Sequence, residues 1–160
     1  RGDELTDSEM IGALRELLLP QTTVLTPNSL EARRLARDAD DEEPALALCA
    51  RHLLDFGCEH VLLTGTHEST PQVVNELHGR DGLLRSDVWP RLPGSYHGSG
   101  CTLASALAAG LAHRLSVHDA VGEAQEYTWK TLSAGFRPGM GQFIPDRFFW
   151  ARETEGDDGK

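Results

Sequence analysis

The chain has 160 residues, 39% of them hydrophobic, and a formal net charge of −10, which is enough for one domain with a substantial core. No stretch is basic enough to track a phosphate backbone, no apolar run approaches membrane-spanning length and the N-terminus has no signal-peptide pattern. These features argue against nucleic-acid and membrane partners, and three irregularly spaced cysteines argue against a disulfide framework and for the cytoplasm.

In chain order, Thr6-Asp7-Ser8-Glu9 reads as a capping box. It opens a helix with Ile11, Leu14, Leu17 and Leu18 on one face and a stop near Pro20. Thr22–Thr26 reads as a short buried strand ended by Pro27. A second helix is expected over Asn28–Arg37, with Leu30 and Leu35 as its larger apolar contacts, followed by an acidic loop over Asp38–Glu43. Pro44 suits the first turn of a third helix, whose buried stripe is Leu46, Ala50, Leu53 and Leu54 and which ends at Gly57.

His60–Thr64 reads as a second buried strand closed by Gly65. Val73–His78 and Leu83–Val88 flank the turn-forming Gly79-Arg80-Asp81-Gly82 and are expected to pair as a hairpin. A glycine-rich loop then leads into a helix reaching about His113, and Val117–Leu132 forms a further helix with Val117, Ala120, Val121, Ala124 and Thr128 on one face. Gly139-Met140-Gly141 breaks the chain before an aromatic stretch with Phe143, Phe148, Phe149 and Trp150; residues 153–160 read as a polar, frayed tail.

Helices alternating with buried strands predict an α/β layered domain. Two buried strands and a hairpin are few for at least five helices, because sheets in such folds usually have five or six strands. Part of the sheet is therefore expected to lie outside this chain, which begins Arg1-Gly2-Asp3 without an initiator methionine.

The most informative stretch is His97-Gly98-Ser99-Gly100-Cys101-Thr102 followed by an alanine-rich helix. Two glycines permit a tight turn, and the helix start offers backbone N–H groups and the positive end of its dipole. Such a point binds phosphate or an oxyanion formed during reaction. A thiol at a helix N-terminus ionises more readily than a free one and can act as base or nucleophile. The competing reading is a buried cysteine packed in a plain turn.

Asn28 and Glu31 would lie on the first turn of their helix, either as a cap and its reciprocal partner or as oxygen ligands for Mg²⁺ or its waters. Thr64-Gly65-Thr66-His67 and Thr26 both fall at carboxyl ends of strands, where α/β sheets bind ligands; a simple strand-ending turn explains them equally well. Cys49 and Cys58 read as buried small side chains. His52, His78, His113 and His118 lack metal-ligand spacing. The three tryptophans read as packing.

Three motifs, in this order, resemble the hydroxymethylpyrimidine/phosphomethylpyrimidine kinases of thiamine biosynthesis, in the ribokinase-like superfamily near the pyridoxal kinases. They are Thr26-Pro27-Asn28-Ser29-Leu30-Glu31-Ala32, Val61-Leu62-Leu63-Thr64-Gly65-Thr66-His67 and His97-Gly98-Ser99-Gly100-Cys101-Thr102-Leu103. The likeness covers nearly the whole chain, which would correspond to the C-terminal half of the family's sequence: residues 1–152 as that portion of a three-layer αβα kinase domain. Sugar kinases of the superfamily usually carry aspartate where Cys101 stands. Two departures are Thr64 and Thr66, where the family often has a lysine before its second motif's glycines and histidine, and Tyr96, where threonine is common.

The resemblance implies ATP-dependent phosphoryl transfer to the hydroxymethyl group of the pyrimidine and then to its monophosphate. Gly98, Ser99, Gly100 and Cys101 would form the anion hole, with Cys101 as general base. Thr26, Thr64, Gly65 and Thr102 would contact the nucleotide, Asn28 and Glu31 would orient Mg²⁺, and a homodimer is expected. Alternatives are a pyridoxal-type kinase, cysteine acyl transfer with His97 activating Cys101, and an inactive half-domain that needs its missing N-terminal half.

Overall fold

Local chemistry accounts for the order of elements in the first of the two compact units into which the chain divides, Arg1–Arg91 and Leu92–Lys160. A computed structural model describes residues 8–36 and 44–151. The start of the Thr6–Glu9 capping box, the acidic loop Asp38–Glu43 and the tail from Arg152, with its expected boundary at 152/153, lie outside the described residues.

The first unit opens with helix α1 (Ser8–Ala13), which passes into a π-turn over Leu14–Leu18 and a 3₁₀ turn over Leu19–Gln21. The Leu19 N–H donates to Leu14 O, a five-residue span that replaces the α-helical four. This one-residue change corrects the C-terminal half of the expected face, while Ile11 and Leu14 stay half-buried. Leu17 and Leu18 are 63% and 56% exposed, whereas Leu19 is 2% exposed and belongs to the core.

Strand β1 is only Val24–Leu25, shorter than expected, and pairs in parallel with β2 (His60–Thr64). Between them run α2 (Ser29–Ala36) and α3 (Leu46–Asp55). On α2 the buried residues are Ser29, Ala32 and Ala36, and Leu30 is exposed, which corrects the expected contact at Leu30. Small side chains at this spacing let α2 approach α3 closely, and a leucine there would hold the helices apart. On α3 the face is Cys49, Ala50 and Leu53, with Leu46 and Leu54 half-buried beside it. Pro44 precedes its N-cap, Ala45, instead of entering the first turn.

Cys49, Ala50, Leu53, Cys58, Val61 and Leu63 join Leu19, Ala32 and Ala36 in one core. Each fully buried large aliphatic side chain contributes about 1.5–3 kcal/mol. Burial pushes the Cys58 thiol above its ordinary pKa, as suits a packing residue.

Strands β3 (Gln72–Gly79) and β4 (Gly82–Pro90) form the expected antiparallel hairpin, with Gly79 opposite Gly82 and a two-residue Arg80-Asp81 turn. The sheet order is β1-β2-β3-β4, parallel once and antiparallel thereafter.

The second unit is built on α4 (Ser99–Ala112) and α5 (Val117–Ser133). Leu103 and Leu107 of α4 are buried, as are Ala120, Val121, Ala124 and Thr128 of α5, the face expected from the spacing. Ser116 caps α5 by accepting from the Asp119 N–H at 3.1 Å. Ring contacts of Tyr127 with Phe149 and Trp150, at 6.2 and 6.0 Å, seat the aromatic stretch on α5. No helix among the described residues is long and apolar enough to cross a membrane.

Candidate active site

In the first unit, two segments remote in sequence meet where β1 and β2 end. Thr64 N–H donates to Pro27 O at 3.0 Å, and Asn28 and Thr64 form a parallel bridge. The Thr26-Pro27-Asn28 and Thr64-Gly65 segments are thus neighbours. Asn28 Oδ1 accepts from the N–H groups of Leu30 and Glu31, each at 3.0 Å, while Glu31 Oε2 accepts from the Asn28 N–H at 3.0 Å. This is a reciprocal cap. It holds the Glu31 carboxylate by one oxygen, on an exposed residue.

Gly65 is buried, and its N–H donates to Asn75 Oδ1 at 3.1 Å. A Cβ at Gly65 would stand 2.3 Å from the Val74 carbonyl oxygen, so the turn requires glycine.

The segment after Gly65 is fastened by side chains with no sequence motif. Arg33 of α2 pairs with Glu68 at 3.0 Å and holds its carboxyl below the usual range. Arg91 donates to the carbonyls of Thr66, Glu68 and Thr70, each at 2.8 Å. Both arginines lie far in sequence from what they hold. Among the described residues no group of three or more His, Cys, Asp or Glu side chains could hold a metal ion.

In the second unit, Gly98 is the N-cap of α4 with φ of +86°, a left-handed conformation that favours glycine. The first helical bond is Thr102 N–H to Gly98 O at 3.0 Å, which leaves the N–H groups of Ser99, Gly100 and Cys101 without a helical acceptor. Gly100 and Cys101 are exposed and Ser99 is half-buried, so the first turn lies at the surface at the positive end of a 14-residue helix. The expectation of a tight turn opening a helix holds. The competing expectation of a buried cysteine does not.

Thr102, in contrast, is 2% exposed. Its hydroxyl donates to Gly98 O at 2.8 Å and accepts from Arg147 Nε at 3.1 Å. The structure therefore places Thr102 beneath the loop as a brace. The approach to the loop is fixed by Phe143: its N–H donates to Ser95 O, its carbonyl accepts from His97 N–H, and its ring lies 5.4 Å from that of Tyr96.

The profile of phosphomethylpyrimidine kinases matches residues 1–146. A hydroxymethylpyrimidine/phosphomethylpyrimidine kinase of Streptomyces coelicolor is 40% identical over 88% of this chain and 52% of its own length. A thiamine biosynthesis bifunctional protein of Geobacter sulfurreducens is 35% identical over 79% of this chain and 26% of its own length. The pyridoxal kinase of Staphylococcus aureus in complex with AMP-PCP superposes with a TM-score of 0.80 at 26% identity, covering 92% of this chain and 55% of that one. The chain spans about half the length of the curated kinases it matches.

Proposed function

This chain belongs to the phosphomethylpyrimidine kinase family, and from that premise we propose that it carries the transfer machinery of an ATP-dependent kinase acting on hydroxymethylpyrimidine and its monophosphate. Its mixed α/β fold is of the ribokinase-like type found in the pyridoxal kinases. One observation carries the reading: the left-handed Gly98 turn opens α4 with three N–H groups that have no helical acceptor, and the exposed Cys101 lies in that same first turn.

Phosphoryl transfer needs mainly positioning and charge stabilisation. The N–H groups of Ser99, Gly100 and Cys101 donate to the phosphoryl oxygens as charge develops. The substrate hydroxyl oxygen attacks the γ-phosphorus, the bond to the departing ADP oxygen breaks, and the hydroxyl proton passes to the Cys101 thiolate sulfur. An alkyl hydroxyl is far less acidic than a thiol, so the proton moves as the new bond forms. Thr64 and Gly65 bind the nucleotide with Thr26, and Thr102 braces the loop.

Mg²⁺, when bound, neutralises phosphate charge. The donor set fits a water-mediated site: Glu31 is exposed and committed through one oxygen only, and Mg²⁺ commonly keeps several waters beside one or two carboxylates. Asn28, whose oxygen already accepts two N–H groups, orients Glu31.

Cys101→Ala in the protein that carries this chain should lower turnover of ATP with the pyrimidine about 10²–10⁴-fold, with Cys101→Asp retaining part of it. Near-native turnover of the alanine variant sinks the base assignment. The same assay with pyridoxal as acceptor decides the second reading, which the pyridoxal kinase neighbours favour.

A further inference from the structure

We propose that Arg147 is a phosphate-binding residue of the Gly98 turn, its guanidinium aimed at the anion that the α4 N-terminus receives. The proposal rests on the kinase reading and adds to it a residue that no motif contains. Residues 92–102 include no lysine or arginine, so the loop itself brings only backbone dipoles to a highly charged ligand.

Arg147 supplies the missing charge by a specific route. Its Nε donates to Thr102 Oγ1 at 3.1 Å, and that hydroxyl donates onward to Gly98 O at 2.8 Å. The guanidinium is therefore tied to the bonds that close the first turn of α4. Its Nη2 lies 3.1 Å from where a Cβ on Gly98 would stand, so the side chain lies over the turn in the space that glycine leaves.

The backbone beneath it is held as well. Tyr127 hydroxyl donates to Arg147 O at 3.0 Å, and Asp146 N–H donates to Thr131 O at 2.9 Å. With Nε fixed, the two terminal nitrogens of this exposed residue make no hydrogen bond among the described residues. A guanidinium anchored by Nε presents those nitrogens as a fork, the arrangement that matches two phosphate oxygens.

Neighbouring cations are used differently. Lys130 pairs with Glu126 at 2.6 Å, and Arg137 donates to Gly141 O while covering the Phe143 ring.

The test compares native protein with Arg147→Gln and Arg147→Lys in the full-length protein that carries this chain. The glutamine variant should lose at least about tenfold in kcat/KM for ATP, with KM for the pyrimidine within twofold of native. Added guanidinium ion should restore part of the loss, which a purely structural role for Arg147 would not allow. The lysine variant keeps the charge but has one nitrogen for both Thr102 and phosphate, so it should fall between the two.

A second readout does not need turnover. Inorganic pyrophosphate should shift the amide resonances of Ser99, Gly100 and Cys101 saturably, with affinity at least about tenfold weaker in Arg147→Gln. Native-like ATP kinetics and pyrophosphate affinity in both variants overturn the proposal and leave the kinase reading intact. If the glutamine variant does not fold, the lysine variant decides, and native values there overturn it. Native protein that neither consumes ATP nor binds pyrophosphate overturns the kinase reading and the Arg147 assignment with it.

Discussion

Gly65 and Arg147 mark opposite limits of what one residue reveals. Gly65 ends a clear buried strand, and its glycine is demanded by the Val74 carbonyl 2.3 Å from a would-be Cβ. Gly65→Ala must displace backbone and should destabilise the fold by about 1–3 kcal/mol, read as a lower urea midpoint. A midpoint equal to native would show that the turn relaxes freely. Asn28 was legible as a cap because capping is local: the cap and its partner Glu31 lie within one turn. Arg147 was not legible. Its contact with Thr102 spans 45 residues, and a lone arginine before an aromatic run carries no periodic or motif signal.

The elements show a parallel division. The hairpin, β2, α4 and α5 followed from alternation, turn residues and helical spacing, all short-range properties of the chain. Errors arose where packing set the outcome. The π-turn over Leu14–Leu18 shifts the helical register and buries Leu19 in place of Leu18. Leu19→Ala should accordingly cost about 2–5 kcal/mol, whereas Leu18→Ala should stay within about 0.5 kcal/mol of native. Chemical denaturation of both variants distinguishes the two faces, and equal losses would contradict the π-turn. Helix α2 teaches the same point through size, because its core contacts are Ser29, Ala32 and Ala36 and the larger Leu30 faces out.

For the whole molecule, a net charge of −10 disfavours approach of a nucleotide. The proposed phosphate contacts accordingly rest on local donors, the backbone N–H groups at the α4 N-terminus and Arg147 beside them. Nucleotide that binds only the folded chain raises its stability, by about 2.7 kcal/mol at 100 times Kd. The urea midpoint should rise accordingly with Mg²⁺ and ATP present. No rise at any nucleotide concentration would argue against nucleotide binding by these residues.

The α/β class, the strand and helix order, the family likeness and the two turns at Gly65 and Gly98 can all be read from the order of residues. Each depends on residues within a few positions of one another, where backbone preference and spacing act directly. Which leucine enters the core, the position of Thr102 beneath the loop, and the hold of Arg33, Arg91 and Arg147 on segments far from them in the chain were set by folding. Those outcomes depend on which surfaces close against each other, and side chains that meet only after folding leave no pattern in the order of residues.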